Sequence, residues 1–329
     1  MIVNIILIGC LLSSSMTGPS ASRNENGALD GRGGGIIAFY SEMRETHADA
    51  EIYVMNADGS AAANVTNNKA QDLAPDLSPD GSRIVFVSDR DGNEEIYSMN
   101  TDGSRLARLT KTMDKEAYPF WSSDGRKIIY CAFLNGNWDV FMMNADGSGK
   151  TRITDTPENE EWASLSPDSA RIAYATGRFP DYRIYLMNED GSRSRPLVSQ
   201  PGCHAMPKWS RDGKTIACNS GLLDGGKFTG EIHLIDADGT NDRKITDSRG
   251  ECTNENPYWS PDGKRIVFQS NRSGNFQIYV MEVDGSHQIR LTNHQGNDYW
   301  PSWAAYHPLF STDVDSHPGK NPRKDGNPS

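Results

Sequence analysis

The sequence predicts an all-β fold, a six-bladed β-propeller with four antiparallel strands per blade, and three observations predict it. An Asp-Gly-Ser/Thr triplet recurs at Asp58, Asp102, Asp146, Asp190, Asp238 and Asp284, at intervals of 44, 44, 44, 48 and 46 residues. A second ladder starts at Ser78 (Ser-Pro-Asp-Gly) and continues at Ser122, Ser166, Ser210 and Ser260, at intervals of 44, 44, 44 and 50. No segment carries a sustained 3.6-residue apolar period, so little helix is expected.

The second unit shows how four strands arise. Residues 74–78 read as a strand, and Pro79-Asp80-Gly81 as its turn. Residues 83–88 (Arg-Ile-Val-Phe-Val-Ser) follow, rich in β-branched and aromatic residues. The polar stretch 89–93 turns the chain, and residues 95–100 alternate apolar with polar. Asp102-Gly103 turns it again, because glycine accepts positive φ and aspartate bonds its own backbone. Arg108-Leu109-Thr110 closes the unit, with counterparts at residues 64–66, 152–154, 196–199, 244–246 and 290–292. Leu77, Trp121, Leu165, Trp209 and Trp259, each just before a turn serine, are expected to pack between neighbouring blades.

The first unit begins at residues 36–40, which match a second strand. The last strand, Trp300-Pro-Ser-Trp303, matches a leading strand but has no turn after it. A one-plus-three closure by the C-terminal strand is therefore expected, because it leaves no open sheet edge. The domain reading is a signal peptide and linker over residues 1–33, the propeller over 34–307, and a disordered Pro/Gly/Asp/Lys-rich tail over 308–329. The apolar run before Ser13 is too short to span a bilayer and reads as a signal-peptide core. Leu7-Ile8-Gly9-Cys10 resembles a lipoprotein box, so a periplasmic or secreted protein is expected, with a lipid anchor through Cys10 as one form of it.

Net charge is −11 with Lys and Arg scattered, which disfavours phosphate backbones, so no nucleic-acid partner is expected. Neither is a transmembrane span, and a monomer is the expected state. Cys131, Cys203, Cys218 and Cys252 lack CxxC spacing, which argues against zinc. Cys203 and Cys252 fall at nearly equivalent positions of consecutive repeats. They could pair in an oxidising compartment, with free buried thiols as the alternative.

Residues 257–268 (Pro-Tyr-Trp-Ser-Pro-Asp-Gly-Lys-Arg-Ile-Val-Phe), 278–285 (Ile-Tyr-Val-Met-Glu-Val-Asp-Gly) and 290–292 (Arg-Leu-Thr) resemble the TolB-type propeller repeat. The resemblance runs from Ile36 to about Trp303 in all six units. It implies an exported propeller that binds or scaffolds other proteins of the cell envelope or extracellular space, with a peptidoglycan-associated lipoprotein-like protein among the implied partners. The stretch before the first unit leaves no room for the α/β domain that precedes the propeller in TolB, so the propeller domain alone is expected. Similar repeats in oligogalacturonate lyases supply an alternative, a metal-dependent carbohydrate lyase.

Six residues before each turn serine, or the aligned Ala304, stand Asp72, Glu116, Glu160, His204, Asn254 and Asp298. Read as a ring at one channel mouth, they form a candidate partner or ligand site. Asp72, Glu116, Glu160 and Asp298 are the candidate ligands for a divalent cation in the channel, since crowded carboxylates raise one another's pKa unless a cation intervenes. The alternative is a hydrated tunnel mouth whose acids follow the repeat. Trp162 and Trp300 are the preferred aromatic contacts for a partner. No cofactor is required by this reading. Catalysis is not expected, because no nucleophile elbow, His-Glu-x-x-His or phosphate-binding loop occurs and the seven histidines are scattered.

Overall fold

The computed structural model describes residues 34–42, 50–198, 203–224 and 226–305. The expected signal segment with Cys10, and the expected tail, lie outside the described residues.

Six four-stranded antiparallel sheets make up the described chain, and no helix occurs among the described residues. Blade 1 comprises β1 (Ile36–Glu42), β2 (Ala50–Asn56) and β3 (Ala63–Asn64). Blade 2 follows with β4 (Asp72–Leu77), β5 (Arg83–Ser88), β6 (Glu95–Asn100) and β7 (Ala107–Arg108). Blade 3 holds β8 (Lys115–Trp121), β9 (Lys127–Leu134), β10 (Asn137–Asn144) and β11 (Thr151–Arg152). Blade 4 holds β12 (Asn159–Leu165), β13 (Arg171–Gly177), β14 (Arg183–Asn188) and β15 (Arg195–Pro196). In blade 5, β16 (Cys203–Trp209) precedes the long hairpin of β17 (Thr215–Asp224) and β18 (Lys227–Asp236), then β19 (Arg243–Lys244). Blade 6 holds β20 (Asn254–Trp259), β21 (Arg265–Ser270), β22 (Gln277–Glu282) and β23 (Ile289–Arg290). The last strand, β24 (Asn297–Ala304), hydrogen-bonds to β1 and completes blade 1 in the order β24-β1-β2-β3.

Both sequence ladders have a physical basis. In the Ser-x-Asp-Gly turn, Ser78 Oγ donates to Asp80 Oδ1 (2.6 Å) and accepts from Arg83 N–H (2.9 Å). The same pair of bonds recurs at Ser122, Ser166, Ser210 and Ser260, so the serine and aspartate together lock each turn. In the Asp-Gly-Ser turn, Asp58 Oδ1 accepts from the Ser60 N–H and hydroxyl. Gly103 is fixed twice: its φ is 82°, and a Cβ there would stand 2.5 Å from Val65 O of the preceding blade. The glycine is thus a seam residue as well as a turn residue.

The apolar side chains fall into six clusters that together fill the blade-to-blade seams. Middle strands are buried on both faces, which is why β5 reads as a continuous apolar run rather than an alternation. The recurrent tryptophans cross the seams. Trp121 Nε1 donates to Asp76 O of blade 2 (3.2 Å), and Trp259 Nε1 to Lys208 O of blade 5 (3.0 Å). Arg83, Arg171 and Arg265 lie over Trp121, Trp209 and Trp303 of the following blades at 5.3, 4.6 and 5.0 Å. Trp121→Ala is expected to cost about 3–5 kcal/mol in a urea-unfolding experiment, through the lost burial and the void.

Candidate functional site

The inner strands β4, β8, β12, β16, β20 and β24 surround the axis, running from a loop face to a turn face. Each carries a β-bulge against its neighbour, and each bulge holds a non-glycine residue at positive φ: Ala74, Tyr118, Trp162, Met206, Asn256 and Trp300, at 48° to 57°. A bulge re-aims its side chain, and here several point to the axis. Tyr118 of blade 3 stacks on Trp300 of blade 1 at 5.1 Å and 10°, across the intervening blade 2, where the small Ala74 leaves room. Trp162 meets the other side of Tyr118 at 5.5 Å. An aromatic plug therefore fills the channel at this level. Trp162 is only 3 % exposed, so it is a plug residue rather than the open partner contact expected from sequence, and Trp300 is half-buried in the same stack.

The six residues expected at a channel mouth stand at or near the start of the inner strands, and all are buried. They enter the seams between blades instead of facing one another. Asp72 accepts from Arg90 (2.8 Å) and from Asn68. Thr112 Oγ1 donates to Glu116 (2.6 Å), and Thr156 donates to Glu160. Asn254 accepts from Arg272 (2.6 Å) and donates to Glu231 (2.9 Å). Asp298 pairs with His294 at 2.8 Å and draws its imidazole pKa upward. His204 Nδ1 has no partner, and burial lowers its pKa. Burial pushes Glu116 up to about 8; neighbouring Glu95 adds to the rise, and the Thr112 bond opposes it. Burial likewise raises Glu160. Among the described residues, no three His, Cys, Asp or Glu side chains gather as metal ligands, so Asp72, Glu116, Glu160 and Asp298 do not converge on one ion.

Sequence reasoning missed a second set of acids that brace the same loops. Glu95 Oε1 accepts from Thr112 N–H (2.9 Å) and Arg108 (2.7 Å), while Glu231 Oε1 accepts from Ser248 N–H (2.6 Å). The signal was present: Glu51, Glu95, Asp139, Arg183, Glu231 and Gln277 each stand seven residues before an Asp-Gly aspartate.

A second ring was also missed. Two residues before each turn serine, or before Ala304, stand Asp76, Phe120, Ser164, Lys208, Tyr258 and Ser302. The first five line an 80 Å³ cavity that opens on the turn face, rimmed by Pro79, Ser123, Pro167 and Arg211. Asp76 Oδ2 accepts from Trp121 N–H (2.7 Å), whereas Oδ1 and Lys208 Nζ have no hydrogen-bond partner. Burial pushes Asp76 up to about 6 despite Lys208, and pushes Lys208 down to about 7 despite Asp76. The Lys208 ammonium lies over the Phe120 ring and 5.7 Å from that of Tyr258.

The family model described as the TolB beta propeller domain matches residues 36–211 and 164–310. The chain belongs to the TolB β-propeller family. Over 93 residues it is 37% identical to an uncharacterized protein of Agrobacterium fabrum, covering 28% of this chain and 30% of that one. Over 81 residues it is 37% identical to the Tol-Pal system protein TolB of Thioalkalivibrio sulfidiphilus, covering 25% and 18%. The matched stretches thus span less than a third of each relative. The solved structure of TolB from Acinetobacter baumannii superposes with a TM-score of 0.70 at 22% identity, over 83% of this chain and 67% of that one. A putative TolB from Agrobacterium tumefaciens gives 0.62 at 21%, over 80% and 90%. These two likenesses establish shared fold.

In this TolB propeller Cys203 and Cys252 are free, against the pairing that repeat spacing allowed. Cys203 packs in the seam of blades 4 and 5 near Tyr182, while Cys252 lies in the loop before β20 near Arg272. His47, His307 and His317 fall outside the described residues, and no helix among the described residues is long and apolar enough to cross a membrane.

Proposed function

We propose that this TolB propeller is an exported protein-binding module of a bacterial envelope, and that it recognises its partner on the loop face. One observation carries the reading: Met113 (97 % exposed), Phe133 (38 %), Leu222 (68 %) and Leu223 (42 %) all stand on loops and hairpins of that face. Four of the six exposed large apolar side chains among the described residues stand on this face, which favours a protein partner there over a solvated surface. A continuous aromatic path supports them, from Phe133 through Trp138 and Tyr118 to Trp300. The buried acids Asp72, Glu116, Glu160 and Asp298 act in this reading by fixing the loops that carry the contact. Both described ends near the channel, Gly34 and Ala305, lie by the turn face, since Trp303 Nε1 donates to Gly34 O and Ala305 abuts the Gly81 turn.

The relatives' printed place in the Tol-Pal system makes a peptidoglycan-associated lipoprotein the first partner to assay. Immobilised protein is expected to capture it, and the variant M113S/F133S/L222S/L223S to bind at least about tenfold more weakly, given the truncation cost usual at interface centres. L106S/I289S, at exposed positions by the turn face, is the control. Equal capture by both variants refutes the loop-face reading.

A further inference from the structure

The turn-face cavity lies on the side away from the proposed partner surface and makes no contribution to that reading. Its walls place one acid and one base on blades 2 and 5, diametrically opposed in the ring of six. Asp76 is 1 % exposed; Trp121 N–H holds its Oδ2 and the Tyr258 hydroxyl lies beside the carboxyl, while Oδ1 has no hydrogen-bond partner. Lys208 Nζ is a donor with none, and the buried Trp209 Nε1, also on the cavity wall, is another. Buried polar groups are ordinarily satisfied, so a charged acceptor and a charged donor left open in one cavity point to an occupant.

The shape restricts that occupant. The Tyr118–Trp300–Trp162 plug lies one layer deeper and blocks passage along the axis, so an extended peptide cannot thread through. At 80 Å³ the cavity takes a molecule of a few heavy atoms, well below drug-sized ligands. A lone anion satisfies Lys208 and leaves Asp76 open; a lone cation does the reverse.

We propose that this pocket binds a small zwitterion, an α-amino acid of glycine or alanine size, with its carboxylate on Lys208 and its ammonium on Asp76. Ser164 and Tyr258 complete the wall, and Arg211 stands at the rim, where its charge acts on Asp76. The shifted pKa values of the two groups accord with this, since for each the effect of burial outweighs the pull of the other's charge.

Isothermal titration of the full chain with glycine, L-alanine and L-serine at pH 7 tests it. The expected result is a Kd of about 0.1–10 mM for at least one of them, in the range a ligand of so few atoms reaches. Acetate and methylamine, which carry one charge each, are expected to bind at least about tenfold more weakly, because either leaves one buried charge unmatched. Lys208→Met and Asp76→Asn are each expected to weaken glycine binding by a similar factor while the near-UV circular dichroism stays native. No binding of any of the three amino acids below about 100 mM overturns the proposal. So does binding of acetate or methylamine as tight as that of glycine, a comparison that needs no variant. Unchanged glycine affinity in a natively folded Lys208→Met protein also overturns it.

Discussion

Ending the chain after Gly296, which removes β24, is expected to abolish the cooperative thermal transition. This strand pairs with β1 from Asn297↔Glu42 to Ala304↔Ile36, so its loss strips the inner edge of blade 1. It also removes Trp303, which is 1 % exposed, packs against blade 6 and anchors Gly34 through its indole. Loss of Trp303 alone is worth about 3–5 kcal/mol, a large part of the roughly 5–15 kcal/mol that holds a domain together. Trp300 leaves the channel plug at the same time. The truncated chain should show no sigmoidal melt by circular dichroism and should bind a hydrophobic dye. A chain ended after residue 307 keeps the strand and should melt as the full chain does. A truncated protein melting within a few degrees of the full chain contradicts the view that β24 holds the ring shut.

Raising the pH from 5 to 8 should lower the melting temperature by about 10 °C or more, an order-of-magnitude figure from linkage and the size scaling of unfolding. Burial raises Glu161 and Glu255 to about 7 each, Glu116 to about 8 and Asp76 to about 6, whereas such groups titrate near 4 in the unfolded chain. Between these values the folded protein holds more protons than the unfolded one. Stability therefore falls as pH rises from about 4 towards 8. His294, whose pKa Asp298 raises, acts in the same direction, and buried His204, whose pKa is lowered, opposes it below about 6.5. Lys208, pushed down to about 7, works the other way above that pH. The turn aspartates such as Asp58 and Asp102 are held low by their serine bonds and lose stability only under strongly acid conditions. The optimum should lie near pH 4. Glu161→Gln, which can still accept from the Tyr182 hydroxyl, should raise the melting temperature much more at pH 8 than at pH 5. A flat profile from pH 5 to 8 contradicts the burial of these acids.

The two ladders made the blades legible because each recurrent residue answers a local need. Serine and aspartate lock one turn, and glycine accepts positive φ in the other. The strands followed from period and apolar runs, and a missing first strand beside a surplus last one was visible in the order of the units. Asp72, Glu116 and Glu160 were equally legible as positions. Their role was not, because a strand start gives no indication of whether its side chain faces the axis or a seam.

That choice belongs to the bulge. The sequence offers no glycine at Tyr118, Trp162 or Trp300 to announce a left-handed residue, and it is the packing of six inner strands around one axis that imposes it. Once the bulge turns these aromatic rings inward, the channel is plugged and the acids ahead of them are buried between blades. The meeting of Asp76 with Lys208, 132 positions apart in the sequence, has the same origin. What the sequence determined by itself is the repeat, and with it the sheet order and the turns, all of which rest on contacts within a unit. Tertiary structure alone decided which side chains share the axis, because opposite blades meet only after the ring has closed.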